Sequence, residues 1–167
     1  MISRFPLFTI NPDNIEFTIE SIMSPYSIPK IFENGTKAWY NREGNIHRED
    51  GPAIICSNGS EEYFIDGERH REDGPAIIQA DGTEFYYING RKHRIDGPAY
   101  IQSDGYKAYY RNDERNREDG PAIICPDGRK KYWVYGREMT KSEFREEYGL
   151  LKRIKGWMGN KIKGIVK

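Results

Sequence analysis

The sequence predicts an all-β fold: an elongated antiparallel sheet of stacked β-hairpin repeats, with an N-terminal cap and a C-terminal α-helix. Three observations carry this. The stretch HREDGPA at 47–53 returns at 70–76, as HRIDGPA at 93–99 and as NREDGPA at 116–122, each time after 23 residues. A fixed period in this range marks a repeat architecture. Asn-Gly and Asp-Gly dipeptides punctuate runs of apolar and aromatic residues, the strongest short-range hairpin signal. After the last repeat, Thr140-Lys141-Ser142-Glu143 forms a capping box, followed by Phe144, Tyr148 and Leu151 at i, i+4 and i+7, the signature of an amphipathic helix.

Taken in order, residues 1–30 lie outside the period and are punctuated by Pro6, Pro12, Pro25 and Pro29. Their apolar spacing fits a strand or a helix, and they are expected to cap the open edge of the first repeat, because bare sheet edges invite aggregation. Residues 31–139 form the array, about five units long. The first unit is degenerate (Asn34-Gly35, Trp39-Tyr40, Glu43-Gly44) and carries one extra residue between the aromatic pair and the second turn.

Each full unit begins with a short apolar run (53–55, 76–78, 99–101, 122–124). A turn follows at Asn58-Gly59, Asp81-Gly82, Asp104-Gly105 or Asp127-Gly128, and then an aromatic pair (63–64, 86–87, 109–110, 132–133). A second turn falls at Asp66-Gly67, Asn89-Gly90, Asn112-Asp113 and Tyr135-Gly136, and the charged HRxDGP stretch returns the chain. One hairpin with a long polar return is therefore expected per unit, advancing the sheet by roughly 10 Å per repeat at ~4.8 Å per strand. Alternation places the alanine column (53, 76, 99, 122) and the second isoleucine column (55, 78, 101, 124) on the core face, and Ile54, Ile77, Tyr100 and Ile123 on a partly exposed face. Of the two aromatic columns, one joins the core. The other packs under the polar returns or forms an exposed stripe. The closing helix is expected from about Lys141 to about Lys155, ahead of a tail running to Lys167.

Lys plus Arg equals Asp plus Glu, at 26 each, so net charge gives no reason to expect a polyanion ligand. The balance is uneven. Residues 150–167 hold Lys152, Arg153, Lys155, Lys161, Lys163 and Lys167 with no carboxylate, leaving a net −6 on the preceding 149 residues. That tail reads as a partner-binding or membrane-surface segment, or as one that docks on the acidic body. Cys56 and Cys125 occupy one column three repeats apart, too far for a disulfide, which points to a reducing, cytoplasmic setting. The first residues lack the apolar run of a signal peptide, and no stretch approaches the ~20 apolar residues of a membrane span.

His47, His70 and His93 share one column, whose fourth member is Asn116. Zinc ligands must nearly touch, so histidines one repeat apart do not make a metal site, and a structural hydrogen-bonding role is expected. The Arg/Asp pairs 48/50, 71/73, 94/96 and 117/119 recur four times, unlike an active site. Each Asp is expected to cap a turn on backbone amides, and each Arg to pair with acids or stack on tyrosines of an adjacent repeat. Glu49, Glu72, Ile95 and Glu118 form a solvated column. There is no phosphate loop, no Cys-x-x-Cys and no Ser-His-Asp set. No enzyme activity and no cofactor are expected.

The aromatic columns carry the functional expectation, because Tyr, Trp and Arg dominate protein-binding hot spots. The expected partner-binding residues are Tyr63, Tyr86, Tyr109 and Tyr132, with Arg71, Arg94, Arg117 and, in the tail, Trp157. The partner is a protein. The alternatives are a nucleotide or other small molecule held on the aromatic and arginine ladder, a membrane surface met through 150–167, and a homo-oligomer joined through repeat edges. The acidic repeats argue against long nucleic acids.

The 23-residue period, the turn glycines and the hairpin-plus-aromatic layout resemble MORN-type repeats. Units of the form H-R-x-D-G-P-A … D-G … Y-Y … N-G resemble those of repeat proteins from bacteriophages and large DNA viruses and of antitoxin-like bacterial variants. The likeness covers about residues 31–139 and extends to the closing T-K-S-E-F helix. It differs from classical MORN units in having R-E-D-G-P, where those place Gly soon after His. The resemblance implies a β-hairpin scaffold without catalysis, such as a phage or viral accessory factor that inhibits or sequesters a host component.

Overall fold

The computed structural model describes residues 29–149. The cap expected over 1–30 (but for its last two residues), the tail from Leu150 onward and Trp157 lie outside the described residues. Eleven short strands form one antiparallel sheet. Each unit gives it one hairpin, as with Ile54–Ile55 paired to Glu61–Glu62, and the next unit adds Ile77–Ile78 against Glu61–Glu62. The order of strands along the sheet follows the order in the chain, so the repeats stack strictly by neighbour.

The expectation of one hairpin and a long polar return is corrected here, because each full unit folds two hairpins. The second turn closes its own two-stranded ribbon: Phe64–Ile65 with Glu68–Arg69, Tyr87–Ile88 with Arg91–Lys92, and Tyr110–Arg111 with Glu114–Arg115. The chain leaves the long sheet at the first aromatic of each pair except Tyr132-Trp133, where one strand runs through from Lys130 to Val134. The Tyr63 N–H donates to the Ala76 carbonyl of the next unit (2.7 Å), while the Tyr63 carbonyl accepts the His70 N–H (3.1 Å). Trp39, Tyr86 and Tyr109 repeat this double bond. The pivot satisfies the tyrosine's backbone with two partners outside the hairpin, so the strand cannot continue. Bonds such as Arg71 N–H to Tyr87 O (3.1 Å) then join successive ribbons into a second row beside the sheet.

The two turns differ in kind. At Asp66-Gly67, Asn89-Gly90, Asn112-Asp113 and Tyr135-Gly136 both central residues have positive φ, the two-residue type I′ geometry. At Asn58-Gly59 and its equivalents only the glycine does. There the Gly59 N–H bonds back to Cys56 O and the Cys56 N–H to Ser60 O, a three-residue loop with its glycine left-handed. The extra residue of the first unit converts its second turn to this longer form, with Gly44 N–H on Asn41 O and Asn41 N–H on Asn45 O.

The core is thin. Ala53, Ala76, Ala99 and Ala122 are 0% exposed, wedged where sheet and ribbon row meet. The second isoleucine column is only half-buried, and Ile54 and Ile77 on the other face are no more exposed than it. The expected division into core and solvent faces is therefore blurred, because among the described residues no second layer covers either side of the sheet along the repeats. At the C-terminal end a layer does form. The helix expected over 141–155 is present over 141–149, the limit of the described residues. Its capping box is reciprocal: Thr140 N–H donates to Glu143 Oε2 (2.7 Å) and Glu143 N–H to Thr140 Oγ1 (3.3 Å). Phe144 packs with Val134 and Met139, with its ring 4.8 Å from that of Tyr132. Among the described residues no helix is long and apolar enough to cross a membrane.

Candidate functional site

The HRxDGP stretches do not form regular strands. They line up as successive loops along one side of the array, and each is built around its arginine. Arg71 lies with its guanidinium carbon 4.0 Å from the centre of the Tyr63 ring. Its Nε donates to Asp73 Oδ1 (2.9 Å) and its Nη1 to the Pro75 carbonyl (3.4 Å). Arg94 over Tyr86 (3.9 Å), Arg117 over Tyr109 (4.0 Å) and Arg48 over Trp39 (4.2 Å) repeat the arrangement. The ring thus belongs to the arginine's own unit, not to an adjacent one. Pairing and stacking, expected as alternatives, occur together.

The glycine before each proline completes the assembly. A Cβ at Gly51, Gly74, Gly97 or Gly120 would stand 3.1, 3.0, 2.9 or 3.3 Å from the guanidinium carbon. The arginine is held between an aromatic face and a bare backbone, which is why Gly is needed at positions whose φ is ordinary. The role expected of the aspartates is corrected as well. Their first partner is the arginine Nε, which holds Asp50, Asp73 and Asp96 below the usual carboxylate range, with their own backbone amides contributing less. Burial pushes the Tyr63 and Tyr86 hydroxyls up.

The histidines tie each unit to the next. His47 Nδ1 lies 2.7 Å from Asp66 Oδ1 and 3.0 Å from the Asp66 backbone nitrogen. His70 meets Asn89 (2.7 Å) and His93 meets Asn112 (2.8 Å) in the same way, each at the first position of the next unit's I′ turn. At the fourth position that turn residue is Tyr135, which offers no such oxygen, and the column changes to Asn116 in step. Among the described residues no cluster of His, Cys, Asp and Glu could hold a metal ion.

Successive loops enclose grooves. One, of about 520 Å³, lies between 48–51 and 70–73 over Tyr63 and Ile65. Another, of about 440 Å³, lies between 94–97 and 116–119 over Tyr109 and Arg111. Ten lining positions of the first recur in the second after two periods, and the second adds Tyr148 from the helix.

The structure thus brings Tyr63, Tyr86 and Tyr109 together with Arg71, Arg94 and Arg117 as one ladder on the loop side. One face of each ring is covered by its own arginine. The second aromatic column is covered too: Arg69 lies over Phe64 and Tyr87, Lys92 over Tyr110, and Arg115 over Trp133. Neither column stands out as a bare stripe. Tyr132 leaves the ladder, because no further loop follows it and Phe144 takes the place of the arginine. Glycines 51, 74, 97 and 120 and Arg111 escaped the sequence reading. For Arg111 the signal was available, since its column reads Ile65, Ile88, Arg111, Val134. Comparison with known proteins finds no family model and no curated protein that matches this chain.

Proposed function

We propose that the protein is a non-enzymatic binding scaffold that presents its loop side to a protein partner. The observation that carries this reading is the pair of equivalent grooves, two repeats apart, between rigidly braced HRxDGP loops. Stacked, bidentate arginines fix the loops before any partner arrives, and such preorganisation lowers the ordering cost of association. A one-dimensional array also offers an extended surface on which several grooves engage one partner. The resemblance to phage and viral repeat proteins favours a host component as that partner and a cytoplasmic setting, with inhibition or sequestration as the outcome.

The test is affinity capture with the intact chain from a bacterial lysate, run beside Glu72→Arg, which reverses an exposed charge on the loop side. A stoichiometric protein retained by the wild type and weakened by the variant supports the reading. No stoichiometric partner, or one held equally by both baits and by further loop-side charge reversals, removes it.

A further inference from the structure

The two grooves are built to one plan but differ at three of their ten shared positions. Where the first has Glu49, Ile65 and His70, the second has Ile95, Arg111 and Asn116. Each is an exception in its own column. All three meet in one groove.

Together they remove its excess of negative charge. In the first groove four carboxylates face two arginines. In the second, three carboxylates face three arginines. The carboxylates of the second groove are already engaged. Asp96 and Asp119 take the Nε atoms of Arg94 and Arg117 at 3.0 and 2.7 Å, and Glu118 accepts the Tyr135 hydroxyl. The Arg111 guanidinium makes no ion pair among the described residues, so the uncommitted charge is positive. Ile95 is 76% exposed where its column otherwise carries glutamate, leaving apolar surface on the rim beside Tyr148. Asn116 is only 5% exposed, and its Oδ1 has no hydrogen-bond partner. A buried acceptor left in that state calls for a donor.

We propose that the groove between loops 94–97 and 116–119 docks an acidic, apolar segment of a partner protein. The segment's carboxylate sits on Arg111, its apolar side chain on Ile95 and Tyr148, and one of its N–H groups satisfies Asn116 directly or through a water. Arginine suits the carboxylate because its fork binds both oxygens. The equivalent groove at the other end of the array rejects the same segment, since Glu49 stands where Ile95 does and no cation replaces Ile65. Discrimination between the two grooves thus comes from repulsion as well as attraction. This inference rests on the binding-scaffold reading and names the chemistry of the partner.

The test uses the intact ¹⁵N-labelled chain and two capped peptides, acetyl-Gly-Leu-Glu-Leu-Gly-amide and its Lys counterpart. The Glu peptide is expected to shift amide signals of 94–97, 111 and 116–119, to leave 48–51, 65 and 70–73 unmoved, and to bind about tenfold more weakly to Arg111→Ile, a loss typical of one charged hydrogen bond. The Lys peptide is expected to leave 94–97, 111 and 116–119 unmoved. Arg111→Ile, Ile95→Glu and Asn116→His each restore a residue that the same column carries elsewhere, so the fold accommodates them. Absence of shifts, equal shifts in both grooves, equal binding of the Lys peptide or indifference to Arg111→Ile would each overturn the proposal. A protein partner held equally by the wild type and by the triple variant would also overturn it while leaving the scaffold reading intact. Absence of any partner would remove the scaffold reading itself.

Discussion

Replacing Gly97 by alanine tests the arginine assembly at its tightest point. The backbone permits the change, since the φ of Gly97 is not in the left-handed region and the residue before a proline favours extended geometry, which alanine adopts freely. The cost arises because a Cβ would lie 2.9 Å from both the guanidinium carbon and Nε of Arg94. An unattached side-chain end would swing away cheaply, but this one is held by the Tyr86 ring, Asp96 and the Pro98 carbonyl. The ring contact contributes about 0.5–1 kcal/mol and the bond to the Pro98 carbonyl about 1.5 kcal/mol, while the exposed ion pair to Asp96 adds little. A partial displacement therefore costs about 1–2 kcal/mol and complete expulsion about 2.5 kcal/mol. For a domain of this size that lowers Tm by about 4–10 °C. Thermal and urea unfolding of the four Gly→Ala variants should rank them by clearance, with Gly97 worst, then Gly74, Gly51 and Gly120. In an Arg94→Ala background Gly97→Ala should become nearly neutral. A Gly97→Ala variant within about 0.5 kcal/mol of wild type, or one equally damaging without Arg94, would refute the reasoning.

Three further outcomes follow from the same geometry. Asp50, Asp73 and Asp96 have folded pKa values below their unfolded ones, so their stabilisation is complete above the unfolded value of about 3.9 and is lost as pH falls through the folded values. Thermal midpoints should decline below about pH 4, and Asp73→Asn should flatten that decline. The double variant Asn116→His/Tyr135→Asn should restore the inter-unit bond and relieve a left-handed tyrosine (φ 48°). It is expected to gain about 1 kcal/mol, measured by urea unfolding, while Asn116→His alone gains nothing. Thr140→Ala removes the capping box and should cost about 1 kcal/mol, seen as lost helical ellipticity before the main transition.

The array was legible because its signals are local and repeated. The period, the left-handed turn glycines and the capping box each state a backbone requirement in a few adjacent residues. The ribbon row was not, because what ends the strand at Tyr63 is a pair of backbone bonds to Ala76 and His70, and backbone bonds leave no mark on side-chain identity. The core division failed for a related reason. Period-two alternation says which residues share a face, but Ile55 and Ile54 are both half-buried where no described residue roofs either face. At the loops, the Arg–Asp pairing was foreseeable from the i, i+2 spacing. The glycine's part was not, since Gly before Pro reads as a turn and not as the floor beneath a guanidinium. The coupled change of His to Asn116 and of Asn or Asp to Tyr135 is visible in the sequence only once positions 19 apart are known to touch.

The side-chain hydrogen bonds between described residues span at most 25 positions, about one period, as from Asn41 to Asp66. Each unit therefore knows only its neighbours, and the molecule has a natural quantum of length. Excising 77–99 would join Ala76 to Tyr100, and the new neighbours would find every partner they need: an alanine carbonyl for the tyrosine pivot, a histidine for the following I′ turn, an arginine for the ring. Gaining a unit is equally undemanding. A lineage carrying this chain can lengthen or shorten its reach by unequal crossing-over between near-identical stretches of coding sequence, and add or discard a groove without redesigning the others. The terminal unit, committed to Phe144 and Tyr132 under the helix, stands outside that freedom.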